Sequence, residues 1–360
     1  MLRLRLITLL LVAFTVMGCR AQHQTKEEAG TFLVTSPLRE DAELTHEYVA
    51  QIRAIQHIEL RALERGYLED IFVDEGQQLE EGELMFQIMP IIYQAEVSKA
   101  KAETELAGIE FDNAKLLADE NVVSPSELAL ARAKLHRAKA ELELASAHRK
   151  LTEIHAPFSG IMGRFFARKG SLLEEGELLT TLSDNSTVWA YFNLSEREYL
   201  DYERRSQTED LSAVQLQMAT GELFSEPGKI ETIEADFDNE TGNIAFRASF
   251  PNPEGLLRHG ETGKVLMTMP LPGALQIPQK ATFEILDRHY VYVVGEDGVV
   301  HSRAITVAAE LPHRYIISEG LEESDHILLE GLRKVHEGEA IEVEYQAPAE
   351  AFDQLQLHAE

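Results

Sequence analysis

A mainly β protein carrying one long α-helical hairpin is the fold class this sequence predicts, and three observations predict it. Residues 66–88 and 160–182 are two copies of one pattern. The stretch between them has helical periodicity, and most of the remaining chain alternates apolar and polar residues between turn signals. Within the copies, Gly66, Gly76 and Gly82 match Gly160, Gly170 and Gly176 at a constant offset, and Leu-Glu-Glu-Gly-Glu-Leu closes both, at Leu84 and Leu178. Glycine tolerates the positive φ of tight turns, so glycines at matched spacing predict matched backbone turns. The chain makes one small β unit twice.

Between the copies, apolar and small residues recur in threes and fours: Tyr93, Val97, Ala100, Thr104, Ala107, Phe111, Ala114, Ala118, and then Leu128, Ala131, Leu135, Ala138, Leu142, Ala145. The second series is an a/d seam of alternating Leu and Ala, and small alanines facing leucines let two helices approach closely. Residues 119–127 supply the turn: Asn121 suits the reversal, Ser124 an N-cap, Pro125 the first helical position, and Glu127 a capping box. Two antiparallel arms of about 26 residues would extend roughly 40 Å. Charge is dense on every face but the seam, so the hairpin is expected to project from an elongated, multidomain molecule.

The strand-like segments lie on either side. Thr31 to Gln56 alternates in short runs, Thr187 to Asn193 reads as a strand, and Ser195-Glu-Arg-Glu-Tyr-Leu as a capped helix start. Residues 213–272 alternate strand and turn signals, and Pro270-Leu-Pro272 reads as a boundary. Beyond it, Tyr290 to Val294 with Gly295-Glu-Asp-Gly298 predicts a hairpin, with further strands to about Tyr345 and a patternless tail.

At the N-terminus, two arginines precede a short apolar run, Leu6 to Met17, and then Val16-Met-Gly-Cys19. The run is shorter than the roughly 20 apolar residues a spanning helix needs, and it suits a secretory signal. A small residue before the only cysteine resembles the lipobox of bacterial lipoproteins, which would make Cys19 the lipidated first residue of the mature chain. The alternative is an ordinary signal with an incidental cysteine. Either way no internal disulfide is available to the mature protein. The formal net charge is -29, which disfavours nucleic acid as a partner.

Catalysis finds no candidate residues. The 13 histidines are scattered without ligand spacing, and no phosphate loop or Ser-His-Asp arrangement stands out. No cofactor or metal site is expected. The repeated unit resembles the two halves of a lipoyl or biotinyl carrier domain. A carrier, however, exposes its modified lysine on a hairpin between the halves; here helices replace that hairpin, and Lys169 is the only lysine in either copy.

The order of parts resembles the periplasmic adaptor subunits, or membrane-fusion proteins, of resistance-nodulation-division (RND) efflux pumps, an HlyD-like lipoyl-hairpin family. The likeness rests on the split halves around the hairpin, Ile154-His-Ala-Pro-Phe-Ser-Gly160, Val188-Trp-Ala-Tyr-Phe-Asn-Leu-Ser-Glu196, Thr241-Gly-Asn243, Phe250-Pro-Asn-Pro-Glu-Gly-Leu-Leu257, Gly320-Leu321 and Glu330-Gly-Leu-Arg-Lys-Val-His-Glu-Gly338.

The resemblance implies a signal peptide at 1–18, a lipidated tether at 19–30, and a membrane-proximal β domain from 31–38 and 273–346. It further implies a β-barrel from 39–57 and 185–272, lipoyl halves at 58–91 and 151–184, the hairpin at 92–150 and a flexible tail at 347–360. It implies a non-catalytic adaptor in the periplasm, lipid-anchored to the inner membrane and assembled as a homo-oligomer, usually a hexamer. Its partners would be an inner-membrane RND-type proton-driven transporter and an outer-membrane TolC-like channel. At the tip, family members carry Arg, Leu and Ser in fixed spacing; here Leu117 and Ser124 match, while Asn113 takes the arginine's place. Tip packing and helix capping account equally well for Leu117 and Ser124. An adaptor of an ABC-type exporter or type I secretion system has the same modules and is the nearest alternative. A purely structural envelope lipoprotein is another.

Overall fold

The computed structural model describes residues 31–353. The signal segment, Cys19 and the rest of the tether lie outside the described residues. In chain order, β1 (Phe32–Thr35) and the long β2 (Leu38–Arg61) lead into the first copy, β3 (Gly66–Ile71), β4 (Gln78–Leu79) and β5 (Leu84–Ile88). Helices α1 (Ile91–Asp119) and α2 (Pro125–Leu151) follow. The second copy is β6 (Glu153–His155), β7 (Gly160–Met162), β8 (Leu172–Leu173) and the start of β9 (Leu178–Ser195). Then come α3 (Glu196–Ser206), β10 (Ala213–Met218), β11 (Gly228–Ile233), β12 (Asn243–Pro251) and β13 (Thr262–Pro278). The chain ends with β14 (Thr282–Ile285), β15 (Arg288–Val294), β16 (Val300–Leu311), β17 (Arg314–Glu319), β18 (His326–Leu328), β19 (Val343–Tyr345) and α4 (Pro348–Asp353).

Two compact units result: one from the residues up to Leu44 together with those from Met269 on, the other Thr45–Thr268. In the second unit the copies fold around one core by an approximate twofold. Its buried members pair at the offset of the repeat: Ala62 with Ala156, Leu68 with Met162, Val73 with Ala167, Leu79 with Leu173, Met85 with Leu179, and Ile88 with Leu182. The backbone repeats the exchange: the Gly76 N–H donates to Met162 O at 3.0 Å and the Gly170 N–H to Leu68 O at 2.8 Å. Likewise Gly82 donates to Ala156 O and Gly176 to Ala62 O, both at 2.8 Å. These four glycines have φ between 79° and 88°, as matched turns require. The first glycine of each copy differs from that expectation. Gly160 and Gly66 mark close packing, since a Cβ on Gly160 would stand 2.6 Å from Ser183 O and one on Gly66 2.7 Å from Ile88 Cγ2.

The same unit holds a closed barrel: β2 pairs with both β9 and β13, and the path from β9 runs through β12, β11 and β10 back to β13. Its interior is apolar and includes Ile52, Phe192, Leu216, Phe246, Phe250 and Val265. The capped helix start expected at Ser195 forms, as a capping box with Glu198, and begins α3, whose Tyr199 and Tyr202 meet the Phe246 ring edge-on.

In the other unit, β14, β15 and β16 pair in succession, and β1 lies between β18 and β19, parallel to the latter. The predicted hairpin closes through Gly295 N–H to Val299 O and Gly298 at φ 75°. The boundary expected at Pro270-Leu-Pro272 lies beside the division between the units after Thr268, although β13 itself runs on through both prolines, pairing with β10 before and β17 after. One expectation fails here. The tail is ordered as far as it is described: the Gln346 N–H donates to Val34 O, and α4 buries Ala351 and Phe352, the latter under the Arg314 guanidinium. A helix of six residues is too short to show a period.

Candidate functional site

The hairpin forms along the predicted seam. Ala100, Ala107, Ala131 and Ala138 are buried, the larger seam residues are half-buried between them, and most of the outward positions are exposed. Alanine brings the backbones close enough for the Thr104 hydroxyl to donate across the seam to Ala138 O at 2.9 Å, while also reaching Ala100 O at 2.8 Å. Outside the seam, Lys134 pairs with Glu110 at 3.4 Å and the Arg132 guanidinium sits 5.8 Å from the Phe111 ring centre.

At the tip, α1 ends in a reversal that satisfies its last carbonyls. Asn121 takes a left-handed φ of 57°, its N–H donates to Ala118 O at 3.0 Å, and the Val122 N–H reaches Leu117 O at 2.8 Å. This is a Schellman stop with asparagine in the glycine place. Helix α2 then starts with Pro125 at its first position and the Ser124 hydroxyl accepting the Glu127 N–H at 3.2 Å. The reciprocal bond from the Ser124 N–H to the Glu127 side chain is absent, so the expected capping box is only half made.

The structure sets Asn113 and Leu117 one turn apart near the end of α1 and Ser124 at the start of α2. Asn113 and Ser124 are exposed, and Leu117 is 37% exposed. Two further apolar groups accompany them, Leu116 at 62% and Val122 at 65% exposed. Sequence reading passed over both; an apolar residue inside a polar turn was the available signal. The tip thus presents apolar side chains and neutral polar groups beside the exposed carboxylates of Asp119, Glu120 and Glu127.

The root of the hairpin is pinned by contacts that no local pattern announces. His148 Nδ1 lies 2.6 Å from the Glu64 carboxylate, and the Tyr93 hydroxyl donates to Arg65 O at 2.9 Å. The Glu64 hydrogen bond and its charge raise the His148 pKa above the ordinary imidazole value. Among the described residues no cluster of three or more His, Cys, Asp or Glu side chains is placed to hold a metal ion.

Comparison with known proteins bears on the same architecture. The β-barrel domain of RND membrane-fusion proteins matches residues 187–270, and their C-terminal permuted SH3 domain matches residues 273–334. The efflux pump periplasmic linker BepF of Brucella suis is 30% identical over 315 residues, covering 82% of this chain and 76% of that protein. The chain belongs to the RND membrane-fusion-protein family. BepD of the same organism is 29% identical over 341 residues, 86% of each chain. The multidrug efflux pump subunit AcrA of Escherichia coli is 25% identical over 361 residues, 93% of this chain and 91% of that one. Among solved structures, a MacA–MexA chimera containing the Pseudomonas aeruginosa MexA α-hairpin superposes with a TM-score of 0.61 at 20% identity, over 85% of this chain and 98% of that one. That likeness shows the shared fold. The permuted SH3 match agrees with the sheet, where the N-terminal β1 sits between two C-terminal strands.

Proposed function

We propose that this membrane-fusion protein is the periplasmic adaptor of a tripartite efflux pump, linking an inner-membrane RND-type transporter to an outer-membrane channel without chemistry of its own. The observation that carries the reading is one arrangement: a long helical hairpin rises from between the two halves of a lipoyl-like core, next to a barrel of the RND type. The RND description of both matched domains favours a proton-driven transporter over an ABC-type exporter.

In this reading the core of residues 58–91 and 151–184 packs between copies in a ring, and the barrel and permuted SH3 domain hold the transporter. Lipid on Cys19 keeps each copy at the inner membrane. The tip, through Asn113, Leu117 and Ser124, meets the channel. A half-exposed leucine at an end-to-end contact gains most of its burial when the partner arrives. Leu117→Asp should therefore abolish co-purification of the channel and export, while shifting the stability of the free protein by less than about 1 kcal/mol. Unchanged export and channel recovery in that variant would remove the tip from the proposal.

A further inference from the structure

The ladder between β2 and β9 is interrupted where it passes from the lipoyl-like core to the barrel. Gln56 to Leu60 pair with Asp184 to Thr180, but Ala54 pairs with Val188, so the register jumps between Ala54 and Gln56. Bulges of this kind bend a strand and leave backbone groups without ladder partners. The loop after β12 fills the gap. Buried Asn252 ties that loop to the bulge, donating from Nδ2 to Asn185 O at 2.8 Å and to Leu257 O at 2.9 Å, while its N–H reaches Ser186 O at 2.9 Å. Gly260 N–H then donates to Ile52 O at 2.9 Å, and the Ala54 N–H is received by a side chain, His259 Nδ1, at 3.3 Å.

An imidazole nitrogen that accepts a backbone N–H is unprotonated, so the structure assigns His259 to its neutral form with the proton on Nε2. Its ring stacks on His57, with centres 3.9 Å apart and planes 14° from parallel. His57 Nδ1 is in turn 2.8 Å from the Ser183 hydroxyl on β9. The charged groups that act on His259 are His57 and Arg53 on β2; Asp184 follows Ser183, the ladder partner of His57, on β9, and Arg258 and Glu261 flank His259 and Gly260 in the loop. Asp184 gives its carboxylate to the Ser186 N–H at 2.9 Å, and the Arg53 guanidinium lies 5.3 Å from the Tyr191 ring centre.

We propose that His57 and His259 form an acid-sensitive latch on the joint between the lipoyl-like core and the barrel. With His259 neutral, its Nδ1 holds the Ala54 N–H and the rings stack. A proton on Nδ1 removes the acceptor, turns the same nitrogen into a donor facing a donor, and sets a cation against the stacked His57 ring and Arg53. The bulge then loses the side chain that spans it, and the two segments of β2 can bend more freely about residues 54–56.

The electrostatics have the required sign. Burial, His57 and Arg53, in that order, lower the His259 pKa below the ordinary imidazole value. A histidine whose folded pKa is depressed contributes stability above its unfolded value and loses it as the pH falls through the folded one. The latch is therefore closed at neutral pH and opens on the acid side. His259 is exposed as a residue although one face of its ring is covered by His57, so protons reach it without unfolding.

Amide hydrogen exchange of the full chain, corrected for the intrinsic pH dependence, tests this. Protection of residues 50–58 should fall about tenfold, relative to residues 84–88 of the core, between about pH 8 and about pH 5. H259N keeps a neutral acceptor near the Nδ1 position and should abolish the fall. H57F keeps the stack but removes a neighbour that depresses the His259 pKa, so the opening should move to higher pH. A flat profile in the unsubstituted chain, the full fall in H259N, or an unmoved onset in H57F would each overturn the proposal.

Discussion

His148 shows how one side chain can tie a projecting element to its base. It is the partner of Glu64, whose side chain is only 12% exposed, and the pair bridges the end of α2 to the loop before β3. Its pKa is raised, so its contribution is full below the ordinary imidazole value and is lost as the pH rises through the raised one. With the His148 side chain 43% exposed, solvent and salt screen much of the effect. Amides at 91–94 and 147–151 should lose protection as the pH is raised past neutral, and H148A should show the low protection at every pH; a pH-independent wild type would remove this pair from the root. Glu198 has the opposite sense. Burial would raise its pKa, but hydrogen bonds from Ser195 and Tyr48 outweigh it and hold the carboxyl low. Its capping of α3 is present above the ordinary carboxylate value and lost as the pH falls through the lowered one. Glu198→Ala should cost about 1 kcal/mol in a denaturant titration at neutral pH, and much less in strong acid. A loss that persisted undiminished in acid would count against the capping role.

The hairpin was legible at the scale of the element because its seam repeats. Every seam position named from spacing is buried or half-buried, since an a/d stripe is the only face two helices can share. The Thr104 bond across the seam was not legible; it depends on how closely alanine lets two backbones approach, which only the packed pair reveals. Ala107→Leu should push the arms apart and cost about 1–3 kcal/mol of overpacking, read as earlier loss of helical signal on heating. An unchanged melt would show that the seam has slack. The proline pair at 270–272 marks the division between the units after Thr268 without ending β13, because proline forbids a donor but not an extended backbone, and whether a ladder needs that donor depends on partners distant in sequence.

On the scale of the whole molecule, the lipoyl-like core includes no residue of either helix. The strands that flank the hairpin already pair, Phe86 with Ile154 and Gln87 with Glu153, and the Ile88 N–H donates to Thr152 O at 2.9 Å. Replacing residues 89–151 with a two-residue Asn-Gly turn should therefore close the sheet as an ordinary β-hairpin. The shortened protein is expected to melt cooperatively and retain the transporter while losing the channel; failure to fold would show that the helices stabilise their base. The repeat, the hairpin and its turn were legible in the chain because they rest on short-range periodicity and on residues with restricted backbones, and the resemblance built on them already made the two copies halves of one domain and put residues 39–57 in the barrel. The packing of α4 and the distant partners of His148 and His259 emerge only in the folded chain. Those outcomes are set by which surfaces meet when apolar faces are buried together, and local spacing carries no record of that meeting.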